Sequence, residues 1–411
     1  MKNWAIVLLL LPLACLAVLH NFLTMDIKMG LFLGVTIFVI LVWAFEVLPS
    51  VQAAILLPLV YVIADIAPAA KVFSPWLSFL PWVCVGGLIF GDILGRTGLA
   101  KRIALSCVKA MGGTFTSLVF GLMAGGIILA FLVPAIMARV VIFYAITMGF
   151  AEALELPKNS RMSSAILLAG FCAATSPTLI CMTASEVTLL GINVINAKTI
   201  IVDWQGFLLH NFPVALVYCL ISAVLLHLVK GKERLPDKAV VAQMVDARLE
   251  EMGRISADEI KTLILLVFGV AMFVVLGPQR GPWMFLFCAC LAFFPGLNLI
   301  HEKQLRTLNF GFIFFITGCM AIGAAAEHLG LPKMIGKQMA TLLEGHSPLT
   351  SILLSYGAGL GLNFLLTPLA ATGSMSAPLV EVAQALGMNP APLIYTFVYG
   401  LEQYIFPYEY A

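Results

Sequence analysis

WVCVGGLIFGDILGRTGLAKRIAL (residues 82–105) is followed at residues 125–141 by GGIILAFLVPAIMARVV; FGFIFFITGCMAIGAAAEHLGLPKMIGKQM (residues 310–339) is followed at residues 359–375 by GLGLNFLLTPLAATGSM. Each passage runs from an apolar span through a short basic amphipathic stretch into a long apolar segment broken by proline. Gly98-Leu99 pairs with Gly330-Leu331, and Phe131-Leu132 with Phe364-Leu365. A membrane protein that repeats a broken apolar segment usually builds a substrate site between the copies. Transport is therefore the first reading of the chain.

Composition agrees. Of 411 residues, 61% are hydrophobic and 11% charged, against roughly 25% charged in ordinary soluble domains. The chain reads as an all-α polytopic membrane protein whose solvent is the lipid bilayer. Its net charge of +2 is scattered over loops and gives no stripe for nucleic acid. The nine cysteines lie almost all in apolar runs, and Cys288-Ala-Cys290 lacks zinc-site spacing, so no metal site is expected. Met1 to His20 reads as an uncleaved first span.

Apolar windows of spanning length fall at about residues 4–20, 30–48, 51–66, 77–95, 162–196, 206–229, 260–278, 283–299 and 308–328, with a tenth beginning near Pro392. Residues 98–111 and 330–343 are too short and too basic for that set, and read as arm helices lying in the interface. An odd number of crossings separates the arms, which predicts inverted repeats with Lys109 on the cytoplasmic face and Lys337 outside. The N-terminus is then cytoplasmic, and only Lys28, Lys71, Lys198, Arg280, Lys333 and Lys337 face outward, as the positive-inside rule requires.

The division that follows is an N-terminal half at 1–229, a cytoplasmic linker at 230–259 read as a solvated connection, and a C-terminal repeat at 260–411. By repeat symmetry the second copy runs on for about 50 residues past Ala411, so the sequence reads as truncated.

Residues 115–154 are long enough for two crossings but have only Val133-Pro134-Ala135 as a turn. Unpaired backbone cannot face lipid, so a re-entrant helix hairpin with a buried tip is expected. Residues 351–385 repeat the design, with Asn363, Thr367, Pro368, Thr372, Ser374 and Ser376 near the tip. Entering from opposite faces, two such hairpins would meet near the midplane.

Trp43-Ala-Phe-Glu46-Val-Leu-Pro49, the GGLIFGDILGRTGLAKRIAL arm, both hairpins and the two interrupted spans together resemble the divalent anion/sodium symporters of dicarboxylates and sulfate, within the ion transporter superfamily. The resemblance covers nearly the whole chain. It implies an elevator-type transporter in the bacterial inner membrane, a homodimer, with a small anionic substrate, Na+ as coupling ion and no other cofactor. Family hairpin tips carry Ser-Asn-Thr; here Val133-Pro134-Ala135 and Thr367-Pro368-Leu369 stand in those places. The family's break in the fifth span corresponds to Thr178 through Ser185, followed by Glu186, and its second-half counterpart to Phe406-Pro407-Tyr408-Glu409. The substrate-binding candidates are thus Pro134, Ala135, Arg139, Thr178, Ser185, Asn363, Thr367, Pro368 and Thr372. Ser176, Thr183, Glu186 and Glu409 are the candidates for ion coupling.

Arg139 is the only Lys or Arg that this topology puts inside the membrane, and burying it unpaired costs several kcal/mol. Three readings stay open: it binds the anion, it supplies the charge that sodium gives in relatives, or it pairs with Glu186 or Glu409. Proline and hydroxyls around Ser176 and Thr183 permit unwinding, which frees carbonyls for a cation, and Glu186 can carry a proton. The opposing reading is a kinked helix whose Ser and Thr bond to their own backbone. Asp92 reads mainly as an i,i+4 partner of Arg96.

The function expected is secondary active transport, by symport or exchange, of a small divalent anion such as a dicarboxylate, citrate or sulfate. A degenerate, non-transporting relative is the alternative. A membrane-embedded enzyme would need a nucleophile with its base or paired acids at helical spacing, and no such set is found, so no catalytic residue is assigned.

Overall fold

The computed structural model describes residues 26–44, 47–133, 136–157, 160–198, 200–232, 238–343, 346–364 and 366–403. The first apolar window, Glu46, Pro134, Ala135 and Glu409 lie outside the described residues. Every regular element among the described residues is helical. Among the described residues, five helices are long and apolar enough to cross a membrane: Phe115–Leu132, Arg161–Leu179, Trp204–Lys230, Ala257–Leu291 and Gly311–His328. The chain is a multi-pass membrane protein, and it divides into two compact units.

One unit comprises Met1–Pro81, Val187–Val202 and Asn309–Ala411. Helices α1 (Ile27–Ala44) and α2 (Ser50–Ile63) are tied by a 2.6 Å hydrogen bond between the Thr36 and Tyr61 hydroxyls. Close approach in lipid depends on small residues, and this unit uses them throughout. A Cβ on Gly318 of α12 (Gly311–His328) would stand 2.6 Å from the Ala54 carbonyl of α2, and one on Gly323 equally close to the Gly373 carbonyl. Helix α14 (Pro348–Asn363) meets α16 (Pro390–Leu401) through Gly359 and Gly400, each against the other helix's backbone. Between them in sequence lies α15 (Pro368–Ala385).

The other unit comprises Trp82–Glu186 and Asp203–Leu308. Here α3 (Leu80–Thr97) bends by 65° into α4 (Leu99–Met111). The bend is built on Gly98, whose φ of 79° is left-handed; Gly330, at the start of the second arm helix α13 (Leu331–Leu343), has φ 74°. An L side chain resists that conformation, which explains why both arms place glycine there. On α4, Ala100, Ala104, Leu105 and Val108 are buried while Lys101 and Lys109 face out, as an interfacial helix demands. Asp92 and Arg96 form the expected i,i+4 pair, at 2.6 Å.

Helix α5 (Phe115–Leu132) packs on α4 through Gly121 and Gly125 and on α7 (Arg161–Thr175) through Gly126. Beyond the interruption comes α6 (Ile136–Ala153), whose Thr147 meets Gly170 of α7. The window at 162–196 is not one helix: α7 ends at Thr175, two short 3-10 turns span Ser176–Leu179 and Met182–Ala184, and α8 (Glu186–Lys198) follows. Then comes α9 (Trp204–Lys230).

Helix α11 (Ala257–Leu291) contains a reversal at Gly277, with φ 69° and ψ −174°, directly before Pro278. A Cβ on Gly269 would lie 3.3 Å from Cys288 Cβ, and Lys261 Nζ donates to the Leu297 carbonyl at 3.3 Å. The segment is therefore an antiparallel pair, in agreement with the two apolar windows, although the second helix stops at Leu291 and residues 292–299 form turns.

The linker corrects the sequence reading. Residues 238–251 form helix α10, Val241 and Val245 are buried, and Lys109 Nζ on α4 reaches Asp246 Oδ1 at 2.7 Å. Arg102 donates to the carbonyls of Gly253 and Met252 at 3.0 and 3.2 Å. The mixed charges that suggested a solvated tether are partly consumed in docking it to the arm.

Candidate functional site

Val133, just past α5, is extended (φ −119°, ψ 103°), so its carbonyl is not used by the helix it follows. Ala174 sits in the last turn of α7, where carbonyls have no intrahelical partner. Ala184 precedes Ser185, which is extended at φ −144° and ψ 132° within the break. These three carbonyls share one donor. Arg139, fully buried in the first turn of α6, donates from Nε to Ala174 O at 3.0 Å and from Nη1 to Val133 O at 2.7 Å and Ala184 O at 2.8 Å.

The guanidinium thus links the interruption after α5, the C-terminus of α7 and the break before α8. Its charge also complements the negative end of α7. Carbonyl oxygens freed from helices and turned toward one point are what a cation site in a broken-helix transporter is made of. Here the cation is a side chain. With these oxygens committed to Nε and Nη1, a bare sodium ion does not fit the same point without displacing Arg139.

The hydroxyls around the break have specific partners. Trp204 Nε1 donates to Thr183 Oγ1 at 3.3 Å, Ser176 Oγ donates to Ser222 Oγ at 3.3 Å, and Thr175 bonds back along its own helix, to Phe171 O at 2.9 Å. The neighbouring Cys181 thiol reaches Ala130 O at 3.6 Å. Thr178 and Ser185 are buried, and Glu186, 7% exposed, opens α8, where the helix dipole favours a carboxylate. The structure thus brings Arg139 together with the segment carrying Thr178, Thr183, Ser185 and Glu186. Sequence reasoning missed Trp204 and Ser222; an indole and a hydroxyl in a long apolar helix were the available signal.

In the other unit, Thr367 caps α15, its hydroxyl accepting from Ala370 N at 3.4 Å, with Pro368 at the first helical position. Buried Asn363 ends α14 and donates from Nδ2 to Gln403 O at 2.8 Å. Asn363 Oδ1 and the hydroxyls of Thr372 and Ser376 are buried without a hydrogen-bond partner among the described residues. Thr372 faces α8, since a Cβ on Gly191 would meet its methyl at 3.6 Å. Buried hydroxyls without partners are uncommon, and each calls for an explanation. Among the described residues, no group of three or more His, Cys, Asp or Glu could hold a metal ion.

Residues 1–410 match the family model described as the sodium:sulfate symporter transmembrane region. Among curated proteins, the chain is similar to the L-tartrate/succinate antiporters of Escherichia coli (strain K12), Shigella dysenteriae serotype 1 and Shigella sonnei. Each is 23% identical over 362 residues, covering 78% of this chain and 73% of the relative.

Proposed function

The chain belongs to the sodium:sulfate symporter family, and from that premise we propose that it exchanges small divalent anions, dicarboxylates such as succinate and L-tartrate first among them, across the bacterial inner membrane. That it is a secondary transporter of dicarboxylate- or sulfate-type anions rests on the family and on relatives that are L-tartrate/succinate antiporters. The choice of exchange over sodium symport rests on one observation, the Arg139 guanidinium held by the carbonyls of Val133, Ala174 and Ala184.

A sodium ion binds and leaves in every cycle, whereas a tethered guanidinium stays. With a dianion present, Arg139 offsets one of its two charges and the positive end of α6, on whose first turn Arg139 sits, bears on the other. Without one, moving the site through a low-dielectric environment carries an uncompensated charge at a cost of several kcal/mol. The return step is then slow unless another anion loads, and that is the behaviour of an exchanger. In this reading Thr178 and Ser185, with the backbone at Pro134 and Ala135, are the anion-orienting candidates of one unit, and Asn363, Thr367 and Thr372, with the backbone at Pro368, are those of the other. Ser176, Thr183, Glu186 and Glu409 are left with any residual cation or proton coupling.

The architecture proposed with it is that of two inverted repeats in an elevator-type homodimer, with the N-terminus cytoplasmic. The halves are residues 1–229 and 260–411, and re-entrant hairpins lie at about 115–154 and 351–385. Support comes from the repeated arm built on Gly98 and Gly330 and the two interrupted helix pairs.

Purified protein in liposomes, loaded or not with unlabelled succinate, tests the proposal by uptake of labelled succinate, L-tartrate, citrate and sulfate in sodium or potassium medium. Uptake that requires internal dicarboxylate and ignores sodium is expected. Uptake into empty liposomes driven by a sodium gradient would make the protein a symporter, and no uptake of any anion would support a non-transporting relative.

A further inference from the structure

Two of the three carbonyls that hold Arg139 sit where no long helix fixes them: Val133 is extended after the end of α5, and Ala184 closes the short 3-10 turn Met182–Ala184. Another contact must keep both within 2.8 Å of one nitrogen, Nη1. Trp204, the first residue of α9, supplies it. Its backbone is set by the helix cap, in which Asp203 Oδ1 accepts from Gly206 N at 2.7 Å.

The indole works in two directions. Its Nε1 donates at 3.3 Å to Thr183, the residue before Ala184, and its ring lies against Phe131, two residues before Val133, with centroids 6.0 Å apart at 51°. A second tie continues the first. The buried Cys181 thiol gives its hydrogen to Ala130 O in the last turn of α5 at 3.6 Å. The Thr183 hydroxyl, which accepts from the indole, therefore gives its own hydrogen to Cys181 Sγ, also at 3.6 Å. Indole, hydroxyl, thiol and carbonyl thus form one chain in which each hydrogen is used once, joining the start of α9 to the turn and the turn to α5. All of these residues, and Arg139, belong to one compact unit.

We propose that Trp204 is a positioning residue for the transported anion. Through Thr183 and Phe131 it clamps the Met182–Ala184 turn to the end of α5, and so holds Arg139 in the orientation in which its charge meets a dicarboxylate. A guanidinium is planar, so bonds from Nε and Nη1 to fixed oxygens set its whole plane. Were the Val133 and Ala184 carbonyls to drift apart, Nη1 would keep one acceptor and the plane would turn. Trp204 needs no contact with the substrate for this. The inference rests on the reading of Arg139 as the charge opposite the anion.

Equilibrium binding of labelled succinate to the full-length protein in detergent and potassium medium, with a melting curve for each variant, tests this whatever the mode of transport. Trp204→Phe keeps a ring against Phe131 but loses the N–H, and should weaken succinate binding about two- to tenfold, the range of one lost hydrogen bond. Cys181→Ala breaks the same chain at its other end and should do likewise. Cys181→Ser, which keeps a donor and an acceptor, should recover part of that loss. Two breaks in one chain do not add, so the double variant should bind no more than about twofold more weakly than the weaker single variant. If Trp204→Phe fails to fold, the contrast between Cys181→Ala and Cys181→Ser carries the test. Native affinity in the single variants, losses that multiply in the double variant, or lower melting with unchanged affinity would overturn the proposal and leave Trp204 a packing residue. A native protein that binds neither succinate nor L-tartrate would overturn the dicarboxylate reading, and this inference with it.

Discussion

Arg102 on the first arm helix grips Glu259 at the start of α11 with two hydrogen bonds, Nε to Oε1 at 2.6 Å and Nη2 to Oε2 at 3.2 Å. Glu259 is 2% exposed and closes a capping box with Ser256, while Arg102 also donates to the Met252 and Gly253 carbonyls. One guanidinium thus fastens the linker's end, a helix N-terminus and the arm. Arg102→Ala leaves the Glu259 carboxylate buried without its cation, a loss of about 3 kcal/mol or more. Arg102→Lys should recover only part of it, since an ammonium does not reproduce the planar fork. Thermal unfolding of both variants, with hydrogen exchange over residues 238–256, checks this. Unchanged exchange in Arg102→Ala would show that α10 is held by Lys109 and its buried valines alone.

Arg139→Ala removes the donor to three carbonyls in one unit. At about 1.5–3 kcal/mol for a hydrogen bond to a charged group, the variant should be markedly less stable, and exchange should fall more than tenfold. A small diffusible cation should return part of what the side chain supplied. Methylguanidinium, or sodium if the vacated point accepts it, should restore measurable succinate exchange to Arg139→Ala and leave the native protein unaffected. Full activity of Arg139→Ala without any added cation would sink the tethered-charge account.

Much of the fold is legible because it depends on residue types with strong local consequences. Gly98 and Gly330 mark bends because no other residue accepts their φ cheaply. The reversal at Gly277-Pro278 falls at the end of the first of two adjoining apolar windows. The proline and hydroxyls after Thr175 foretell the break, whose turns begin at Ser176. The surroundings of Arg139 are not legible in the same way. A lone arginine in an apolar helix announces that it needs partners, but its partners here are backbone carbonyls, and a carbonyl has no letter in the sequence. The docked linker was hidden for a different reason: KAVVAQMVDARLEE mixes charges with valines without saying which face meets the arm.

Packing by small residues gives a paired test on two neighbouring helices. A Cβ on Gly126 would stand 1.9 Å from the Ala173 carbonyl, a backbone atom with nowhere to go, whereas one on Gly149 meets nothing within 4 Å. Gly126→Ala should therefore destabilise the protein by about 1–3 kcal/mol as α5 and α7 are forced apart. Gly149→Ala should be neutral or stabilising by up to ~1 kcal/mol through helix propensity. Melting temperatures of the two purified variants decide it. Equal tolerance at both sites would mean that α5 does not lie on α7 as described.

Thr372 and Ser376 separate a binding role from a structural one. Their hydroxyls are buried, one turn apart on α15, and have no hydrogen-bond partner among the described residues. A hydroxyl kept in an apolar environment without a partner costs stability, so Thr372→Val and Ser376→Ala should be neutral or stabilising in a melting experiment. If the hydroxyls instead contribute donors to the transported anion, the same two variants should lose exchange. The expected result is a rise of about tenfold in the succinate concentration needed for half-maximal exchange, about 1.4 kcal/mol of binding for each lost contact, with the maximal rate less affected. Lower stability with normal exchange would reverse the assignment and make the two hydroxyls part of the packing between α15 and its neighbours.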